Sequence, residues 1–151
     1  MNNGKSFLTL AQQLATHQLD KAALRSAVSR AYYGAFNYGR HLLRCFGFTH
    51  IANNVRNHGE VWHYFENCGN ADVENAGRKL ANLGSDRVKA DYQLDNQKFE
   101  KIQNVQCSLM NAQNIISEFD NCMASSQKVT AVTQGMKKYA KAISGNISPK
   151  P

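Results

Sequence analysis

All five histidines of this chain lie at or before position 63, and that sets a first limit on its chemistry. Glu60 and His63 form a Glu-x-x-His unit, which supplies metal ligands in di-iron helical bundles. Such a centre needs a second unit of the same kind plus two further inward glutamates, and no histidine remains to build it. Trp62 and Phe65 have the stronger claim to the buried side of that turn. Cys45, Cys68, Cys107 and Cys122 show no zinc-ligand spacing. No Gly-rich phosphate loop, Gly-x-Ser-x-Gly elbow or dinucleotide fingerprint occurs. No metal and no cofactor is therefore expected. What remains is arginine, histidine and tyrosine. That set can bind a phosphodiester, position a 2′-hydroxyl and stabilise charge on a transferring phosphate without a metal.

Most of these residues fall on one stretch. At 100° per residue, Ser26, Arg30, Tyr33, Asn37, Arg40, His41 and Arg44 share a stripe about 100° wide on a helix expected over 21–46. The stripe is either a solvated face or a phosphate-contacting surface, for which arginine is the suited residue. Leu24, Val28, Ala31, Tyr32, Ala35, Leu42 and Phe46 run along the apolar side. Asp20 is a plausible N-cap, and Gly47 marks the end.

The periodicity gives four more helices. One, over 5–16, places Phe7, Leu10 and Leu14 at helical spacing. A short one over 58–67 starts at a capping box made by Asn57 and Glu60 and stops before Gly69, with Val61, Trp62 and Phe65 inward. The next, over 71–91, repeats Val73, Ala76, Leu80 and Leu83. One turn further, its stripe lands on Arg87 and then Asp91, charges that need compensation on a buried side. They are expected to pair at the helix end, facing Tyr32 or Tyr33. Phe99, Ile102, Val105, Leu109, Ala112, Ile116, Phe119 and Met123 make a near-heptad seam on the last helix.

These elements fit an all-α domain. The chain has 151 residues, 42% hydrophobic and 19% charged, and its two prolines are Pro149 and Pro151. That is enough chain for one hydrophobic core without disulfides. The net charge of +7 is uneven. Residues 1–56 hold seven bases against Asp20, residues 57–125 hold six bases and ten acids, and residues 126–151 hold five lysines and no acid. The expected division is a helical domain over 1–125 and a basic tail over 126–151. Val129, Val132, Met136, Tyr139 or Ala140, and Ile143 could line one side of an amphipathic tail helix. The basic balance points to a polyanionic partner. No run approaches the ~20 apolar residues of a membrane span, so no membrane partner is expected. Reduced thiols and a cytoplasmic location are the natural reading of the cysteines.

Ser29-Arg30-Ala31-Tyr32-Tyr33-Gly34-Ala35-Phe36 resembles the Ser-Arg-x-Tyr-Tyr-x-x-Phe signature of the HEPN superfamily. Arg87-Val88-Lys89-Ala90-Asp91-Tyr92 resembles its second hallmark, Arg-x-x-Ala-Asp-Tyr, and Asn57-His58-Gly59 is similar to a helix start found in its small prokaryotic members. The order and spacing fit over about 20–125, and the tail lies outside. The resemblance implies an antiparallel bundle of about five helices, a homodimer and a groove across the two-fold axis. It also implies one of two functions in toxin–antitoxin or phage-defence systems. One is a metal-independent endoribonuclease. The other is a non-catalytic module that binds nucleic acid or a protein such as a nucleotidyltransferase or larger effector.

Catalytic members carry an Arg, then four to six intervening residues, then a His. Tyr92 stands five residues after Arg87, whereas Arg56 and His63 satisfy the spacing at the third helix. Arg56, His58 and His63 are thus the catalytic candidates. Arg30, Tyr33, Asn37, Arg40, His41, Arg44 and Arg87 are the nucleic-acid contacts, with RNA favoured over DNA. Tyr32, Asp91 and Tyr92 are the structural residues of the motifs.

Overall fold

A computed structural model describes residues 4–54 and 56–145. Asparagine and aspartate side chains start the helices that matter most. Asp20 accepts from the Ala23 N–H at 3.0 Å and opens α2 (Lys21–Cys45). Asn57 accepts from Glu60 N–H at 3.2 Å and opens α4 (His58–Glu66). Asn70 accepts from Val73 N–H at 3.1 Å and opens α5 (Ala71–Tyr92). Each satisfies one of the orphan donors of a first turn. The capping box at α4 is only half made, because the Glu60 carboxylate accepts from Asn54 Nδ2 at 3.0 Å instead of turning back.

Helix α2 is the central strut. It packs on α1 (Lys5–Ala15), α5 and α6 (Ile102–Met123), and α4 lies across α5. Tyr32, Leu24, Leu42, Leu43, Phe65, Leu80, Leu83, Ile115 and Phe119 fill the interior. Two glycines seven residues apart let α4 close on α5. A Cβ at Gly77 would come within 2.9 Å of the Phe65 Cβ, and one at Gly84 within 2.6 Å of Trp62 Cζ2. Among the described residues the fold is all-α, and no helix is long and apolar enough to cross a membrane.

Several expectations are corrected. The five-helix reading becomes seven α-helices and one 3₁₀ turn among the described residues. The addition between α2 and α4 is α3 (Thr49–Asn53), five residues and too short to show a period. Arg40 Nε donates to the Ala52 carbonyl at 2.5 Å, and Arg44 to Asn53 Oδ1 at 3.0 Å, so α2 grips its end. On α1 the buried face is Leu8, Ala11 and Ala15, whereas Leu10 is 43% exposed. Phe99 sits on the separate 3₁₀ turn Lys98–Glu100, and the α6 seam ends with Cys122 buried and Met123 exposed.

The tail beyond residue 125 forms α7 (Ser126–Gly145), which buries Val132 and Met136 against α4 and α6. Val129, Tyr139 and Ala140 pack beside them, while Ile143 is exposed. Gly135 permits this approach, since a Cβ there would lie 1.7 Å from the Cys68 carbonyl oxygen.

Candidate functional site

One line of α2 builds the site. Ser29, Tyr32, Tyr33, Phe36 and Arg40 follow at helical intervals of three and four, so they face the same neighbours, α4 and the last turns of α5. Tyr32 is fully buried, and its hydroxyl lies 2.7 Å from His58 Nδ1 at the start of α4. The His58 ring stacks on Phe36, centroids 4.2 Å apart. Trp62, one turn on, turns its indole N–H towards the Tyr32 oxygen without reaching hydrogen-bond geometry, so that buried donor has no partner. Gly84 makes room for this stack, since a Cβ there would lie 2.6 Å from the Trp62 ring and 3.2 Å from the Tyr32 ring.

Arg87 closes the cluster from α5. Its guanidinium carbon lies 5.5 Å from the Tyr32 ring centroid, 5.6 Å from Tyr33 and 5.8 Å from Tyr92. The expected pairing with Asp91 exists but is long, 4.0 Å from Nη1 to Oδ2. That same oxygen accepts from the Ser29 hydroxyl at 3.0 Å. Arg87 Nε is buried and has no hydrogen-bond partner. Tyr92 stands at the rim, 72% exposed.

Burial, with the positive charges of Arg87 and Arg40, holds the His58 imidazole below its usual pKa, so it is neutral at pH 7. Burial also pushes the Tyr32 phenol well above its ordinary range. A protonated phenol and a neutral imidazole use their protons best when Tyr32 donates to Nδ1 and Nε2 carries the ring proton. His58 then offers a donor, not a base. A neutral N–H donor, a cationic fork and tyrosine rings together suit a phosphate and an adjoining base.

The structure therefore brings Tyr32, Tyr33, His58, Arg87, Asp91 and Tyr92 together, with Arg40 behind Phe36 at 5.9 Å. Arg30 lies one helix position to the side, between the Phe7 and Tyr33 rings at 5.8 and 5.5 Å. Asn37 accepts from Arg40 Nη1 at 3.5 Å. His41 stacks near Tyr38 and faces the Cys45 thiol at 3.8 Å. Arg44 is engaged at α3. Arg56 is exposed, its backbone N–H on Asn54 Oδ1. His63 is exposed and pairs with Glu66 at 3.3 Å. Neither Arg56 nor His63 reaches the cluster.

Sequence reasoning did not place Ser29, Phe36 or Trp62 in the site, although the first two keep the helical interval of Tyr32. It also missed Arg25, four residues before Ser29. Arg25 is 7% exposed and binds the backbone carbonyls where α5 ends. Among the described residues no group of three His, Cys, Asp or Glu side chains gathers as a metal set. No family model, curated protein or solved structure matches the chain.

Proposed function

We propose that this chain is a HEPN-like helical protein that binds RNA, with a backbone phosphate seated at Arg87 and His58. The observation that carries the reading is Arg87 itself. It is a cation enclosed by three tyrosine rings, its Nε unpartnered and its nearest carboxylate 4.0 Å away. Arginine held this way keeps hydrogen-bonding capacity for a phosphate. The exposed Tyr92 ring beside it suits a stacked base, which favours a single strand. The basic balance of the chain adds long-range attraction.

Binding without cleavage fits the site better than hydrolysis. A general base must present a free nitrogen to the 2′-hydroxyl, and the basic nitrogen of His58 is occupied by Tyr32. The non-catalytic module is thus the function put forward, in the toxin–antitoxin or defence setting that the resemblance implies.

The test uses the full chain and a labelled single-stranded RNA in EDTA, followed by anisotropy and by gel. Affinity should fall with salt, Arg87→Gln should lower the salt slope by about 0.7, and the RNA should stay intact. No binding at ~50 mM salt, or equal slopes for Arg87→Gln and the parent, would overturn the reading. RNA cut by the parent but not by His58→Ala would make the protein a ribonuclease.

A further inference from the structure

Asp91 belongs to two places at once. Its Oδ2 faces Ser29 and Arg87, and its carboxylate also lines a groove of about 450 Å³ between α1, α2 and the end of α5. Leu10 and Leu14 form the apolar wall of that groove, and Ser26, Ser29 and Arg30 complete it. Arg30 is held by ring contacts alone, with no hydrogen bond or ion pair among the described residues. Asp91 Oδ1 likewise has no hydrogen-bond donor there. Two opposite charges line one groove and do not meet. A ligand that satisfies both must carry acceptors on one edge and N–H donors on the next.

We infer that this groove is a guanine subsite for the RNA strand held at Arg87, an assignment that rests on the RNA-binding reading. Guanine presents O6 and N7 to an arginine fork, the commonest specific arginine–base contact. On the adjoining edge it presents N1–H and the N2 amine, two donors that match the two oxygens of a carboxylate. Each oxygen has two lone pairs, so the Ser29 bond at Oδ2 does not block it. Adenine and cytosine offer a single amine, and uracil a single ring N–H. Leu10 is 43% exposed and gives the ring face an apolar surface. Because Asp91 is shared, a strand with a phosphate on Arg87 has its neighbouring base at the mouth of the groove.

The test compares a short oligouridine with the same strand carrying one central guanosine, adenosine, cytidine or inosine. The guanosine strand should bind about fivefold or more tighter than the uridine, adenosine and cytidine strands, the low end for a bidentate base contact. Inosine, which lacks the N2 amine, should lose part of that gain, and Asp91→Asn should bring the guanosine-to-uridine ratio close to one whatever the absolute affinity. Binding of all strands within about twofold of one another overturns the guanine subsite and leaves RNA binding standing. A preference for cytidine or adenosine overturns it too. If no strand binds, the RNA reading falls and this assignment with it. Guanosine monophosphate that displaces the strand at the strand's own dissociation constant would make the ligand a free nucleotide and overturn the RNA assignment.

Discussion

Arg25→Ala should loosen the end of α5 that carries Arg87, Asp91 and Tyr92. Arg25 Nη1 donates to the carbonyls of Lys89, Ala90 and Gln93 at 3.4, 3.1 and 3.2 Å. Nη2 donates to those of Leu94 and Asn96 at 3.1 and 2.5 Å, and Glu100 closes the fork. These are last-turn and post-helix acceptors; Lys89 and Gln93 also accept from the backbone N–H of Gln93 and Asn96, whereas the carbonyls of Ala90, Leu94 and Asn96 have no backbone donor among the described residues. Gln93 and Leu94 are exposed, so their carbonyls turn to water once the guanidinium is gone. The Lys89 carbonyl keeps the Gln93 N–H at 3.2 Å, but Ala90 is 1% exposed and its carbonyl has no such recourse.

A buried acceptor left bare costs about 1–3 kcal/mol, so the stranded Ala90 carbonyl gives a loss of about that size. That is a large share of the roughly 5–15 kcal/mol that holds a domain. In urea the midpoint should fall with the slope unchanged. The thermal midpoint should drop by about 2–12 °C, from about 2–4 °C per kcal/mol at this size. Arg25→Lys should rescue little, because one ammonium cannot span a fork of five carbonyls. A loss below ~1 kcal/mol would mean that the Ala90 carbonyl finds water, and the account of Arg25 as the clasp on α5 would be wrong.

Four further outcomes can be checked directly. Gly84→Ala should drive the Trp62 indole off Tyr32, shifting the emission of the sole tryptophan and costing about 1–3 kcal/mol; unchanged emission refutes it. His58 binds fewer protons folded than unfolded, since burial and then Arg87 and Arg40 lower its pKa. Its contribution is therefore full above about pH 6.5 and is lost as pH falls below that, and His58→Gln should flatten the thermal midpoint between about pH 7 and 5.5. An aromatic disulfide reagent should label exposed Cys45 and Cys107 first, while Cys68, buried and pushed up to about 11, lags. Gly135→Ala, whose Cβ clashes with the Cys68 carbonyl, should undock α7 and move Cys68 into the fast class; a labelling pattern like the parent's would count against that contact.

What could be read from the sequence was what side-chain type and spacing control. Asp20 and Asn57 mark starts because their oxygens do the capping, and Arg87 and Asp91 were placed near Tyr32 because both continue an apolar stripe. What could not be read depended on neighbours. On α1, Phe7, Leu10 and Leu14 recur as regularly as Leu8, Ala11 and Ala15, so the period alone cannot choose a face. Gly34 on α2 makes the choice, since a Cβ there would crowd the Leu8 backbone N at 3.1 Å and only a small surface lets α1 so close. Arg25 was invisible for another reason. Its partners are backbone carbonyls, which every residue has and no sequence pattern marks. The seam at Phe99 broke because the chain turns at Lys98–Glu100 before α6 starts, and a periodic count runs straight through such a bend.

The ring cage around Arg87 bears on why an anion would be taken there at all. A close carboxylate pair would neutralise the guanidinium and fix its donors, leaving a phosphate to compete with a partner already in place. Asp91 is near enough to do this, yet Ser29 engages the same oxygen at 3.0 Å while the arginine stands 4.0 Å away. The rings hold the cation through its face, at about 0.5–2 kcal/mol each depending on desolvation, and do not use up its N–H groups. Charge-assisted bonds to an arriving phosphate are roughly twice as strong as neutral ones, so the exchange favours the ligand. Ser29 is thus more than a helix residue with a spare hydroxyl. By bonding the Asp91 carboxylate at 3.0 Å it fixes where that group stands, with the same oxygen 4.0 Å from the Arg87 fork.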